Sequence, residues 1–405
     1  MRQKRILVLG GNIVQAEATM KAKSLGYHVI SSDLHEDNPG HEIADEYDKV
    51  DITDKEAVLK EAIRLQADGI VPYSSDALAT TAAFVAEQAG LPGNPYISVE
   101  TLTHKDLFRN FLRENGFATP RSESFTNPED ARKFLNTIRG TTGAIMKPVD
   151  SAGSRGVFRV HDTDDIDSHW NTSMSYSSSG RIIIEEFIEK EGPQVDGDVF
   201  VHEGRIIFAG FADQHHVEGM SELVPVSLSA PSVHPAEVKE LALNELQILF
   251  TLLNFRTGPC NVEFIVGKDG RIYFIDLGPR NGGCNIPFLE MEAYGFDEDM
   301  YTIKAAVGDE IPEWSDIYGR NDGHTYVMYY RPYAERNGIY EGLWMSDEFR
   351  KRVIKVTPLM TKGQEVRLSY NGNDSAAVVF ARFERREDMQ ETIRNIDRHL
   401  RVTVR

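Results

Sequence analysis

Cysteine is almost missing from this chain: two residues in 405, Cys260 and Cys284. Two thiols supply neither a disulfide framework nor a zinc-ligand set, and such sparing use fits a reducing compartment. Basic residues are in deficit, with 44 Lys and Arg against 63 Asp and Glu and a net charge of −19. That balance excludes a nonspecific nucleic-acid binder, which needs a basic footprint. Long apolar runs are missing too. No apolar span of about 18 residues occurs, and the opening RILVL run, briefly like the core of a signal peptide, gives way to Gly10-Gly11. A soluble, cytoplasmic protein without membrane or nucleic-acid partners is the expectation. Repeats and low-complexity tracts are also lacking. What remains is an ordinary globular composition, 41% hydrophobic and 26% charged, long enough for about two to four domains.

The first third alternates strand and helix. RILVLGG reads as a buried strand ending in a glycine turn, QAEATMKAKSLG as a helix, and YHVISSD as a second strand. The alternation continues through EYDKVDIT, KEAVLKEAIRLQ, DGIVPYSSD and ALATTAAFVAEQAG, which predicts a parallel, doubly wound sheet. Asp33 lies where a dinucleotide fold places its ribose-binding acid, but the third glycine of that fingerprint is absent, which argues against NAD. Gly11 and Asn12 then either bind an anionic group at the helix N-terminus or simply make a turn. Ser74, Ser75 and Asp76 end a strand where open α/β sheets bind ligands, and would equally cap the following helix. Pro/Gly-rich LPGNPYIS marks a boundary near residue 95.

Helix SVETLTHKDLFRNFLRENG carries Lys105. TGAIMKPVDSAGSRGVFRV holds Lys147 at a strand end, then a Gly/Ser loop whose N–H groups could fold over phosphates. Strand RIIIEEFIE follows with Glu185 and Glu186, and VDGDVFVHEGRIIFAGFADQHH reads as a hairpin turning at His202-Glu203-Gly204 and ending at His215 and His216. Residues 236–254 read as a helix. Beyond about residue 321, short antiparallel strands and a last helix predict a small α+β unit.

GPCNVEFIVGKDGRIYFIDLGPRNGG reads as a second hairpin about an Asp-Gly turn. Symmetric closure would pair Val266 with Arg271 and Glu263 with Phe274. Val262, Phe264, Val266, Tyr273, Ile275 and Leu277 would then face the core, with Ile265, Ile272 and Phe274 beside Glu263 and Asp276 on the other face. Two carboxylates close together in apolar surroundings need a cation to stay ionised. With only oxygen ligands, that cation would be magnesium or manganese. Arg280 would add a fixed positive charge just beyond. The alternative is a hairpin with two solvated acids.

Lys105, Lys147 with SAGSRG, IIIEEFI, and NVEF…FIDLGPRNGG occur in that order after a doubly wound domain. This order closely resembles the ATP-grasp superfamily, the carboxylate–amine ligases of the D-alanine–D-alanine ligase, glycinamide ribonucleotide synthetase and biotin carboxylase type. The resemblance spans residue 5 to about 320. It implies a multidomain α/β and α+β fold: a Rossmann-like domain at 1–95, an ATP-grasp domain at 96–320 with a lid at about 125–187, and a C-terminal α+β domain at 321–405. It also implies that Lys105 and Lys147 contact ATP phosphates, that Ser151, Gly153, Ser154, Arg155 and Gly156 close over them, and that Glu185, Glu186, Phe187 and Ile188 read the adenine edge. Glu263 and Asp276 would hold magnesium, with Arg280, Lys147 and Arg155 at the reacting phosphate. Gly11, Asn12, Ser75, Asp76, His215, His216, Asn281 and Asn285 are the candidates for binding a small-molecule carboxylate and amine.

Three departures stand out. Many members have Glu-x-Asn-Pro-Arg where this chain has Asp276-Leu277-Gly278-Pro279-Arg280, and Gln194 replaces a frequent acid. Asp276→Asn is expected to stabilise the metal-free protein by relieving carboxylate repulsion. The implied reaction joins a carboxylate to an amine through an acyl phosphate. Bicarbonate activation and non-catalytic ATP binding are the alternatives, and a homodimer is left open.

Overall fold

The structure, a computed structural model, describes residues 2–138, 140, 142–216, 223–319, 324–368 and 374–405. Arg5–Leu9, His28–Ser32, Glu46–Asp48 and Gly69–Val71 form the predicted parallel sheet, with Arg5–Leu9 between His28–Ser32 and Gly69–Val71. Strand alternation sends Leu7 and Leu9 to one face, against Val58 and Val85 of the helices Lys55–Arg64 and Asp76–Ala89. Ile6 and Val8 point to the other face, which is covered by Ala18 and Ala22 and also by Ile303 of helix Glu298–Ala306 and Val307 just after it. A helix far along the chain thus helps to cover the first sheet.

The expected lid is an α+β unit with its own core. Its antiparallel sheet runs Ser122–Phe125, Ile182–Glu186, Ala144–Pro148, Phe158–Val160. Helices Pro128–Ile138 and Thr163–Met174 cover it, with Leu135, Met146, Ile166, Trp170 and Ile184 buried between. The polar stretch after Val160 is therefore amphipathic: Ile166 and Trp170 are four apart and share one helical face.

A larger sheet carries the site. From one edge it runs Ile272–Gly278, Gly258–Val266, Val195–His202, Ala212–His215 and Ser227–Ala230, and Arg205–Ala209 also pairs with Val195–His202. The 195–209 hairpin turns at Glu203 and Gly204, both with positive φ, as its sequence requires. The C-terminal strands divide: Glu365–Val366, Gly338–Met345 and Leu400–Val404 form a three-stranded sheet of their own, and the others join the large sheet. Tyr326–Tyr330 pairs with Ser227–Ala230, and Ala377–Phe383 and Val353–Pro358 continue the same sheet. The expected boundary at 320–321 lies outside the described residues. The chain also ends in a strand, Leu400–Val404, after helix Arg386–Arg394.

The 258–278 hairpin departs from symmetric closure. Val266 faces Ile272, not Arg271, because the turn is longer: the Gly267 N–H donates to Arg271 O at 2.9 Å, with Gly270 at φ 76°. Phe264 therefore faces Phe274, and Ile272, Phe274 and Leu277 join Val262, Phe264 and Val266 in the main core. Tyr273 and Ile275 lie on the opposite face with Ile265. A β-bulge then shifts the register between Glu263 and Phe264, bringing Glu263 directly opposite Asp276. The two register shifts offset each other. The carboxylates meet as expected, but as a direct pair rather than a diagonal one.

Candidate active site

A cavity of about 580 Å³ lies between the four-stranded 122–186 unit and the large sheet. Lys105, Lys147, Ser151, Gly153, Ser154, Glu185, Glu186, Phe187, Ile188, His216, Glu263 and Asp276 all line it. The resemblance implied a shared site for all of these except His216, an acceptor candidate, and the fold brings them together in one cavity.

At its base is a buried charge network. Lys147 Nζ lies 2.8 Å from Glu185 and Lys105 Nζ 3.2 Å from Asp276, with both lysines less than a tenth exposed. Lys105 also donates to the Ser151 carbonyl at 2.9 Å, tying the helix start to the Gly/Ser loop. Burial pulls the Lys147 pKa down despite Glu185, whereas Lys105 is raised because Asp276 and Asp76 outweigh its burial. Burial acts against ionised Asp276 and Glu185, yet neighbouring cations hold both below the ordinary carboxyl range: Lys105 and Lys147 for Asp276, Arg109 and Lys147 for Glu185.

Arg109 is a residue the sequence did not reveal. It is 1% exposed, donates to Glu185 at 2.7 Å, and donates to the carbonyls of Phe274 and Ile275 at 3.1 and 2.7 Å. It thereby braces the hairpin next to the bulge that presents Asp276. The available signal was its place one helical turn after Lys105, but an Arg there is equally at home in solvent.

Glu263 has a different setting. Among the described residues no Lys or Arg forms an ion pair with it; the Gln194 and Gln214 amides donate to Oε2 at 2.8 and 3.3 Å. Burial, then Asp196 and Asp276, push its pKa up to about 8, and burial pushes Asp196 up to about 6. An all-oxygen set at which one carboxyl lacks a cation fits magnesium or manganese, which would hold Glu263 ionised. Gly278 supplies no side-chain oxygen here.

Stability should follow from this. A carboxyl whose folded pKa lies above its unfolded value holds its proton more tightly when folded. That stability is present below about pH 4.5 and is lost as pH rises towards about 8. In chelator, the melting temperature should therefore fall over this range, and Glu263→Gln should flatten the decline; an unchanged slope in differential scanning fluorimetry would refute it. The stabilisation expected of Asp276→Asn moves to Glu263, because Asp276 is already ion-paired to Lys105.

The remaining candidates are mostly engaged elsewhere. Arg155 is exposed, with Nε donating to Ala152 O at 3.0 Å and its guanidinium 6.0 Å from the Tyr176 ring. Gly156 has φ 72° and packs near Pro148 and Ser173. Ser154 reaches across to the Leu223 carbonyl at 2.9 Å. The Gly11 N–H donates to Asp33, and Asn12 accepts from Val14 and Gln15 at the helix start, so the acid of the partial dinucleotide pattern is used internally. Ser75 precedes helix Asp76–Ala89, and Asp76 pairs with Arg280 at 2.9 Å. His215 bonds Ser229 at 2.7 Å, and burial lowers its pKa to about 4. Asn281 donates to Thr302 and Asn285 to Thr357. Cys284 and Arg331 also line the cavity; Arg331 comes from the C-terminal strands and donates to Ser375 at 3.1 Å. A single Arg after an aromatic strand gave no sign of this in the sequence. No helix among the described residues is long and apolar enough to cross a membrane.

Residues 141–287 match the family model described as "ATP-grasp domain". The chain is 27% identical over 283 residues to a formate-dependent phosphoribosylglycinamide formyltransferase of Parasynechococcus marenigrum, covering 68% of this chain and 70% of that one. Its fold is similar to an L-amino acid ligase from Bacillus licheniformis, with TM-score 0.81, 20% identity and all of both chains covered. It is also similar to a phosphoribosylglycinamide synthetase from Anaerococcus prevotii, with TM-score 0.75, 20% identity and the same coverage.

Proposed function

We propose that this chain, whose residues 141–287 match the ATP-grasp domain model, is an ADP-forming ligase of that superfamily. It joins the carboxylate of a small molecule to an amine. The observation that carries this reading is the convergence in one cavity of two buried lysines and a directly opposed acid pair. The lysines would neutralise a polyphosphate directly and the acids through the magnesium they would hold, and charge neutralisation with alignment is most of what phosphoryl transfer requires. The name of the formate-dependent relative also pairs a carboxylate with transfer to a glycinamide.

In the proposed reaction a carboxylate oxygen attacks the γ-phosphorus and ADP leaves. The amine nitrogen then attacks the acyl carbon of the acyl phosphate, and phosphate departs with loss of the amine proton. Lys105 and Lys147 bind phosphate oxygens, which means Lys147 exchanges its Glu185 contact for one with ATP. The strand ends at Glu186, leaving the backbone of Phe187 and Ile188 outside the ladder for the adenine edge. Glu263 and Asp276 would hold magnesium, which supplies charge neutralisation at the phosphates. The lid keeps water from the acyl phosphate.

Lys147→Ala should weaken ATP binding about ten- to a hundredfold, the worth of one charge-assisted phosphate contact. Arg109 still pairs with Glu185 in that variant, so the fold should survive. Unchanged affinity by calorimetry would remove Lys147 from the phosphate site. The reaction class itself is tested by ADP release over panels of carboxylates and amines. Release that needs one of each supports the ligase. Dependence on bicarbonate alone, or binding without release, would replace it with a carboxylase-type enzyme or a regulator.

A further inference from the structure

Arg280 is held from outside the ATP-grasp unit. Its Nε and Nη2 lie 2.9 Å from Oδ1 and Oδ2 of Asp76, the first residue of helix Asp76–Ala89. Side-chain exposures are 12% for the arginine and 21% for the acid. Two residues earlier, Ser74 sits at φ 55° and donates to the Gly282 carbonyl at 2.9 Å. The turn at the end of the first sheet is thus joined to the 278–282 loop on either side of Arg280. The guanidinium charge is felt by Glu263, where it favours the ionised form, and Asp276 helps raise the Arg280 pKa. Its orientation is therefore set beside the acid pair, not within it.

Gly278 makes room for this contact. A Cβ there would come within 2.6 Å of Asp76 Oδ1 and 2.7 Å of Arg280 Cζ. Its φ lies outside the left-handed region, so glycine is required for space rather than for conformation. The departure from Asn at this position and the ion pair across the two domains have one steric cause.

We propose that Asp76 is a positioning residue for Arg280, and that residue 278 lacks a side chain so that this pair can form. The Nη2–Oδ2 hydrogen bond, with Nε close to Oδ1 but not hydrogen-bonded to it, restrains the planar guanidinium, which in a free arginine would sample many orientations. This rests on the ligase reading for the part concerning turnover, but not for the pair itself.

The test uses the full-length protein and the variants Asp76→Asn, Asp76→Glu, Gly278→Ala and the Asn/Ala double variant. NMR hydrogen exchange of the Arg280 Nη2–H, assigned with Arg280→Lys, reads the pair without substrate. Exchange should speed up about tenfold or more in Asp76→Asn and Gly278→Ala. With the acid–amine pair that gives most ADP release, kcat should fall about a hundredfold in both, with ATP affinity by calorimetry within about threefold. Asp76→Glu should recover most of the rate. The double variant should be no slower than the worse single one, because both changes break one contact. Unchanged exchange in both single variants overturns the proposal, as does fast exchange with unaltered kcat, or losses that multiply in the double variant. If no acid–amine pair supports ADP release by the unaltered protein, the ligase reading fails, while the exchange result still decides the pair.

Discussion

Glu263→Gln and Asp276→Asn are each expected to lower magnesium-dependent ADP release by about three orders of magnitude. That corresponds to several kcal/mol of charge stabilisation at the transferring phosphoryl group. Both substitutions keep shape and remove one negative charge. Glu263 already receives amide hydrogen bonds from Gln194 and Gln214, and these donors have a partner in the Gln variant's carbonyl oxygen, so the local structure should persist. Asp276→Asn has a second consequence: Lys105 loses its ion pair at 3.2 Å and keeps only the Ser151 carbonyl. Its ATP affinity should therefore change as well as its rate, whereas Glu263→Gln should act mainly through the metal. Initial rates over a magnesium titration, with circular dichroism as the fold control, separate these effects. If both variants keep near-normal rates, the hairpin is not the metal site and the ligase reading loses its main support.

Arg280→Ala should slow turnover about a thousandfold while ATP affinity stays within a few-fold. A guanidinium that meets charge only as the phosphoryl group transfers stabilises the transition state and not the bound nucleotide. The geometry agrees with such a split: Arg280 is paired with Asp76 beside the cavity rather than reaching the lysines that would hold ATP. Single-turnover quench measurements of acyl phosphate or ADP formation test this directly. Equal losses in affinity and in rate would make Arg280 a ground-state contact instead.

Several elements were legible because each rests on local chemistry. Short continuous apolar runs alternating with helices mark Arg5–Leu9 and Gly69–Val71 as buried parallel strands, and Glu203-Gly204 and Asp269-Gly270 mark two turns. The expected order of Lys105, Lys147, Glu185, Glu263 and Asp276 proved to be a spatial cluster. Less was legible where parity alone had to carry register. One extra residue in the 267–271 turn exchanged Ile272 and Phe274 with Tyr273 and Ile275 between the two faces. Only the bulge restored the acids to a common side. A one-residue slip reverses every side chain of a strand, and nothing in the local sequence specifies where the bulge falls.

The polar candidates divide for a related reason. His215, Asn281, Asn285 and Asn12 are residue types that serve ligands and internal bonds alike, and in the fold they bond Ser229, Thr302, Thr357 and the helix start at residues 14–15. The sequence by itself determined the elements, their order and the chemical types available, because periodicity, turn residues and charge are properties of near neighbours. The tertiary structure decided which partner each charge takes: Arg109 with Glu185, Asp76 with Arg280, Lys105 with Asp276. Pairings across such sequence distances depend on how strands and helices pack. The strength of a buried charge pair depends on its desolvated surroundings, which exist only once the chain has folded.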